Sequence, residues 1–209
     1  MGDLPEGVRF IERGWLNANH LVIHSGGPPD ADGPVLIDTG HSRDEAATVE
    51  TLRGAGVEPE RLRLIVNTHC HPDHWGGNRR LQELSGAPIA CGAATAEIFA
   101  RNDHRAMWIE YFGSEVYHEP TVAPPPVDHV WSAGETVRLG PFDFEILDAP
   151  GHAPDSIALW QPEHRLLVSA DALHDGDCGI LHVAVHGNSV VRDALETVER
   201  FRALGARVA

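Results

Sequence analysis

The sequence predicts a mixed α/β fold in which two sheets pack together with helices outside. Three observations lead there. Short runs rich in Val, Ile and Leu recur in both halves of the chain. Helical patterns fall between several of them. Histidine and aspartate gather directly after the strand-like runs, the end at which open α/β sheets build their sites.

Val8-Arg9-Phe10-Ile11 and His20-Leu21-Val22-Ile23 read as strands, with Gly14 and Gly26-Gly27-Pro28-Pro29 as turns. Pro34-Val35-Leu36-Ile37 is a third strand and runs into Asp38-Thr39-Gly40. Ser42 to Gly54 is expected to be a helix, capped by Ser42, with Glu45 closing a capping box and Ala46, Ala47, Val49 and Leu52 as the apolar stripe. Arg61 to Val66 is the next strand. Trp75 to Leu84 reads as a helix ended by Gly86, Pro88 to Cys91 as a short strand and Ala93 to Ala100 as a helix. From Arg101 to Val130 the pattern loosens, and Pro124-Pro125-Pro126 holds the chain extended. Thr136 to Leu139, Phe142 to Leu147, Ile157 to Trp160 and Arg165 to Ser169 are strand-like, the first two joined by Gly140-Pro141. Val190 to Ala203 is a helix, and Arg207-Val208 starts a further strand.

At 209 residues the chain fits one domain, 1–209, with 101–130 as a lid or insertion segment. A hydrophobic content of 42% is enough for a real core. The net charge of −15 argues against nucleic acid as a partner, because such binders are usually basic. No apolar run reaches the length of a membrane span or a signal peptide. Cys70, Cys91 and Cys178 are an odd set without paired spacing, which suits reduced thiols. A cytoplasmic protein is therefore expected.

Thr68-His69-Cys70-His71-Pro72-Asp73-His74 is the segment with the most chemical content. Imidazole nitrogen and carboxylate oxygen are usual ligands for zinc, iron or manganese. Alternation along an extended segment points Cys70 away from His69 and His71, so it reads as a small buried filler rather than a ligand. His152, in Asp148-Ala149-Pro150-Gly151-His152, follows another strand, and Asp171, in Ser169-Ala170-Asp171, follows a third. His20, His24, His41, His104, His118, His129 and His164 stand alone and read as surface or hydrogen-bonded structural histidines.

On Asp38-Thr39-Gly40, the His-x-His-x-Asp-His run, Gly151-His152 and Ser169-Ala170-Asp171, in that order, the chain resembles the metallo-β-lactamase-fold superfamily of metallohydrolases. The resemblance covers nearly the whole length and leaves the branch, glyoxalase II-like or lactonase-like, open. The resemblance implies a four-layer αββα sandwich with one or two Zn2+ ions (iron or manganese as alternatives) along one edge. It implies that His69, His71 and His152 hold a first metal, that Asp73 and His74 hold a second, and that Asp171 bridges them. Asp38 would sit behind the ligands and fix their loop. The implied reaction is attack by a metal-bound hydroxide on an ester, lactone, thioester or related bond of a small-molecule substrate, with Asp73 as the catalytic residue that orients the hydroxide and carries its proton.

The family normally supplies one more histidine to the second metal, after the last helix and strand. This sequence stops at Arg207-Val208-Ala209, so a longer protein is one expectation and an incomplete second site the other. His174, His182 and His186 are candidates to substitute, His186 first among them. A single-metal site of this ligand type also fits a mononuclear non-haem iron thiol-persulfide dioxygenase, and a non-catalytic metal-binding domain is a third reading. The flavin-diiron branch fits less well, since it has Glu where this chain has His71.

Trp108, Tyr111, Phe112 and Tyr117 fall within the loosened segment. Trp108, Tyr111 and Phe112 are candidate substrate contacts, walling an apolar part of the substrate. Alternatively, Trp108 and Phe112, at i and i+4 of a helix, pack onto the domain or seat a second subunit, which would make a homodimer.

Overall fold

The structure is a computed structural model and describes residues 4–26, 32–110, 123–174 and 176–208. The first sheet has six strands in sequence order: β1 (Val8–Ile11), β2 (His20–Ile23), β3 (Val35–Ile37), β4 (Leu64–Asn67), β5 (Ile89–Gly92) and β6 (His129–Trp131). β1, β2 and β3 pair antiparallel, and β3 through β6 pair parallel. The second sheet has five strands drawn from β7 (Thr136–Leu139), β8 (Phe142–Asp148), β9 (Ile157–Gln161), β10 (Leu166–Val168) and β13 (Arg207–Val208), in the order β13-β10-β9-β8-β7. β13 lies parallel to β10, so the last residues do form the strand their pattern suggests. A two-residue hairpin, β11 (Leu173–His174) with β12 (Asp177–Cys178), follows β10.

The packing makes four layers. Leu21, Ile23, Val35, Ile37 and Val66 of the first sheet meet Phe142, Phe144, Ile146, Leu159 and Val168 of the second in one continuous core. On the other face of the first sheet, Val22, Leu36, Ile65 and Ile89 pack against Val49 and Leu52 of α1 (Glu45–Gly54) and Leu81 of α3 (Asn78–Ser85). Phe99 of α4 (Ala93–Arg101) belongs to a smaller cluster with Trp75. Trp160 and Leu167 of the second sheet pack against Phe201 of α6 (Ser189–Leu204). β2 shows the logic in four residues. Leu21 and Ile23 face the partner sheet while Val22 faces the helices, so the strand is buried on both sides and carries an unbroken apolar run. The expected αββα sandwich is therefore the observed one.

Several local expectations are corrected. Ser42 does not cap α1. Residues 42–44 form a 3-10 turn capped by the His41 ring, the cap position of α1 is Asp44, and no capping box closes. Gly76 packs closely against the Ser42 backbone, so the turn at 42–44 sits tight against the loop after β4. The strand expected at Arg61 starts only at Leu64, because Pro59–Arg61 is a 3-10 turn. The helix expected from Trp75 to Leu84 is two helices, α2 (Pro72–Trp75) and α3, separated by Gly76-Gly77. A strand missed in the loosened segment, β6, pairs with β5 through Ala90 opposite His129. It is short and half exposed, so no apolar periodicity announced it. Two further short elements, the β11–β12 hairpin and α5 (Val183–His186), had no pattern to read either.

β3 and β4 run parallel, so their C-terminal ends reach the same edge. Asp38 leaves β3 there, and His69 to His74 leave β4. From the second sheet, His152 follows β8 and Asp171 follows β10 at that edge. Gly76 and Gly77 allow the loop to close. A Cβ on Gly76 would lie 2.0 Å from the Ser42 backbone nitrogen, and one on Gly77 2.4 Å from the Thr39 carbonyl.

Gly76→Ala is therefore expected to cost about 1–3 kcal/mol by overpacking, read as a lower urea midpoint with unchanged slope. Gly54→Ala, where an added Cβ meets nothing within 4 Å, serves as the control and should not destabilise.

Candidate metal centre

Beyond Asn67 the chain stays extended through His71, and Pro72 then opens α2 at a position where its missing N–H costs nothing. Alternation along this extended stretch sends His69 and His71 to one side. Cys70 goes to the other, into a small core with Trp75, Phe99, Met107 and Ile109. The filler reading of Cys70 holds, and burial pushes its thiol well above the ordinary value.

Three imidazoles converge. His69 Nε2 lies 3.0 Å from His71 Nδ1, which lies 2.9 Å from His152 Nε2. Nitrogens this close, on rings without a hydrogen to share among all three, suit one cation between them. A second group consists of His69, His74 and Asp171, whose ligand atoms also lie within 4.8 Å of one another. Asp73 belongs beside it, with Oδ2 3.6 Å from His74 Nε2. Asp171 spans the two groups. Its Oδ1 is 3.4 Å from His74 Nε2 and its Oδ2 is 3.5 Å from His152 Nε2.

For His69, His74 and His152 the opposite nitrogen is occupied, and this decides which atom faces inward; the His71 Nε2 is buried without a hydrogen bond. His74 Nδ1 donates to Asp38 Oδ2 at 2.8 Å. His152 Nδ1 donates to the Ile180 carbonyl at 2.8 Å. His69 Nδ1 donates to Thr68 Oγ1 at 3.1 Å, whose own hydroxyl donates to Asp38 Oδ2 at 2.8 Å. Partners of this kind fix tautomer and ring orientation. In contrast, His74 Nε2 and Asp73 Oδ1 are buried and have no hydrogen bond. Orphaned atoms of that kind are costly unless a cation or its water satisfies them.

The charges agree. Burial holds His69 and His71 well below the ordinary imidazole value and brings His152 down to about 4, so all three are in the neutral, ligating form. Burial also pushes Asp73 up to about 6. His74 goes the other way: burial is outweighed by Asp171, Asp38 and Asp73, which hold it well above the ordinary value. Burial likewise fails to raise Asp171, which His74 holds well below the usual carboxylate range. Three carboxylates around one imidazole make a strongly cation-seeking field, and the protein's own residues answer it with one imidazolium. The donor set thus fits a divalent cation at each group.

The six candidate ligands lie close together, and Asp38 lies behind them, hydrogen-bonded to Thr68 and His74. His186 does not join them. Its Nε2 accepts a 2.6 Å hydrogen bond from Trp108 Nε1. His174 approaches Asp171 Oδ2 only at 3.8 Å. Trp108 has φ +62°, so it is not in a regular helix as the i, i+4 reading requires. It packs within its own chain: buried, 3.9 Å from the His71 ring centroid and 4.9 Å from that of His152. Tyr111 and Phe112 lie outside the described residues. Sequence reasoning passed over Asp155, whose Oδ2 accepts from the Cys70 amide at 2.9 Å and from Thr95 Oγ1 at 2.8 Å. Its place three residues after His152 was the available signal. The Ile180 carbonyl could not be found from sequence, since a backbone acceptor leaves no side-chain trace.

The profile of the Metallo-beta-lactamase superfamily matches residues 13–209, and the chain belongs to that superfamily. It is 29% identical over 163 residues to a hydroxyacylglutathione hydrolase from Methylococcus capsulatus, covering 78% of this chain and 52% of that protein. It is 31% identical over 132 residues to the acyl-coenzyme A thioesterase MBLAC2 from Gallus gallus, covering 59% of this chain and 45% of that one. The chain spans about half the length of these two relatives. The crystal structure of a metallo-β-lactamase family protein from Thermus thermophilus superimposes with a TM-score of 0.78 at 20% identity, over 99% of this chain and 73% of that one, a likeness of fold.

Asp38→Asn keeps the size of the side chain but removes the charge that holds His74. Metal affinity, read by competition with a chelator, should fall by about 10–100-fold. Acid should weaken the metal-free protein. His152, at about 4 when folded against 6.5 when unfolded, takes up its proton more readily in the unfolded chain, so its share of stability is present above pH 6.5 and lost toward pH 4. His69, His71 and the buried His20, at about 3, act in the same sense. Asp73, raised to about 6, and Asp155, also raised, oppose them on the acid side, while His74 and His174, held above the ordinary imidazole value, oppose them mainly above pH 6.5, outside most of the range where the four lowered histidines act. Thermal midpoints between pH 7 and 4.5 should therefore fall.

Proposed function

We propose that the protein is a metal-dependent hydrolase that cleaves an acyl bond, a thioester before an ester or lactone, with zinc as its resident cation and two ions as its complement. The observation that carries this reading is Asp171, whose two oxygens reach separately toward the two ligand groups. A carboxylate placed so is suited to serve both, and a single-ion iron centre has no use for that span. Both named relatives act, by name, on acyl groups carried by thiols, which favours the thioester.

Divalent cations bound at such a site supply Lewis acidity and lower the pKa of water from about 15.7 toward 7. The chain's residues do the rest. Asp73 presents a buried Oδ1 without a partner, so it can accept a hydrogen bond from the attacking water and take its proton. Its value near 6 leaves it ionised, and so a competent base, at neutral pH. His71, His152 and Trp108 form a close-packed wall that keeps bulk water from one side. Asp38, Thr68 and the Ile180 carbonyl hold the imidazoles still, so little reorganisation is needed during reaction.

The test is metal analysis of the purified protein beside a panel of thioester, lactone, ester and phosphodiester substrates. Zinc with thioester turnover is expected. Asp73→Asn should lower kcat by at least about 100-fold, the typical size of a general-base contribution. Iron as the sole bound metal, with oxidation of thiol persulfides, would overturn the proposal. So would an Asp73→Asn protein that keeps full turnover and loses only stability.

A further inference from the structure

We propose that the rim beside His152, residues 179–183, selects an uncharged aliphatic portion of the substrate over an anionic one. This rests on the hydrolase reading and names the substrate class for the same site.

The rim is fixed to the ligands. The Ile180 carbonyl holds His152. A Cβ on Gly179 would lie 1.7 Å from the Asp171 carbonyl oxygen and 3.1 Å from His152 Cβ, so the segment is pressed against two ligands at once. Its side chains face outward. Ile180 is 56% exposed and Val183 38% exposed, two of the few large apolar residues that the described structure leaves in water. Trp108 is buried behind the ligands, 4.9 Å from the His152 ring and 5.2 Å from that of His182, so the rim's own histidine packs on an aromatic. An apolar lip that touches a ligand pair is a surface a substrate covers.

The charge on the same lip is wrong for an anion. The chain contains no lysine, and all 16 of its cationic residues are arginine. The described residues of 173–186 include Asp177, and the segment contains no arginine. Burial, His182 and Arg105 hold His186 below the ordinary imidazole value, and Arg105 comes from outside the segment. A glutathione or nucleotide portion would bring carboxylates or phosphates to a lip with aliphatic side chains and acids but no guanidinium of its own. An alkyl chain would instead remove Ile180 and Val183 from water.

Two measurements test this on the full chain. In turnover, kcat/KM of the zinc-loaded protein for N-acetylcysteamine thioesters should rise about tenfold from acetyl to hexanoyl, since each methylene laid on apolar surface contributes a factor of up to ~4. Lactoylglutathione should fall below the hexanoyl substrate. In binding, ethanethiol, 1-butanethiol, 1-hexanethiol and glutathione are titrated into the cobalt-loaded protein and followed by its visible spectrum. Affinity should climb about tenfold with chain length over this series, by the same area argument, and glutathione should bind more weakly than hexanethiol. Ile180→Ser and Val183→Ser should each flatten the hexyl-to-ethyl ratio, while Leu195→Ser, an exposed apolar position on α6, should leave that ratio as it is. A flat series, tighter glutathione, or an undiminished ratio in both rim variants would overturn the proposal. If no acyl substrate turns over yet the thiol series is graded, the hydrolase reading fails and the apolar rim stands.

Discussion

Asp38 leaves β3 with φ +57°, a left-handed conformation that Asp accepts more readily than most residues. That turn aims both carboxylate oxygens at the loop that follows β4. Oδ1 accepts from the Thr68 amide at 3.0 Å, and Oδ2 accepts from the Thr68 hydroxyl and from His74. A buried anion is tolerable only when it is paired and fully hydrogen-bonded, and here the groups that satisfy it are those that must be held for metal. The arrangement works in both directions. The ligand loop stabilises Asp38, and Asp38 sets the loop. Breaking either side leaves a buried charge without partners, which is why the site and the strand ends form one unit rather than a decoration on a finished fold.

A second tie joins the two sheets at the same place. The Thr68 carbonyl accepts from the Ile157 amide at 2.9 Å, where β9 begins, and Asp155 just before it accepts from Cys70 and Thr95. His69 and His71 from one sheet are thereby registered against His152 from the other. The His71 nitrogen lies within about 3 Å of both His69 and His152, and a displacement of one sheet by an ångström would part them. Below the loop, Asn67 and Asn78 lock His74 from its backbone side: Asn67 Nδ2 donates to the His74 carbonyl at 3.1 Å, and Asn78 Nδ2 donates to Asn67 Oδ1 at 2.6 Å. Metal binding to such a site draws on rigidity already present, so affinity and folding are linked.

How much of this the sequence discloses depends on what each feature is made of. The strands with both faces buried are legible, because continuous runs such as Leu64 to Val66 have few other uses. The convergence of the candidate ligands is legible too, since His69, His71 and Asp73 keep fixed spacing on one short loop and His152 and Asp171 each follow a strand. Features made by long-range geometry are not. The break at Gly76-Gly77 depends on Ser42 and Thr39, more than thirty residues away, while the local pattern alone reads as one helix. β6 depends on an edge of the sheet that only the fold creates. Trp108 was legible as an aromatic near the site, but its left-handed turn and its bond to His186 were not, because neither leaves a periodic trace.

The division between what is shared and what is particular follows from where the atoms come from. The ligand groups arise at the ends of four strands in two sheets, so their positions are tied to the core and change only with it. The rim arises from one connecting segment that touches the centre mainly through backbone, the Ile180 carbonyl and the absent side chain of Gly179. Its outward side chains are therefore free to vary without disturbing His152 or Asp171. A fold that holds its chemistry with side chains from the sheets, and presents its selectivity on a segment anchored by main chain, can keep one reaction while exchanging substrates. In this chain that exchangeable surface is aliphatic and flanked by acids, and its physical consequence is a preference set by burial of methylene groups rather than by pairing of charge.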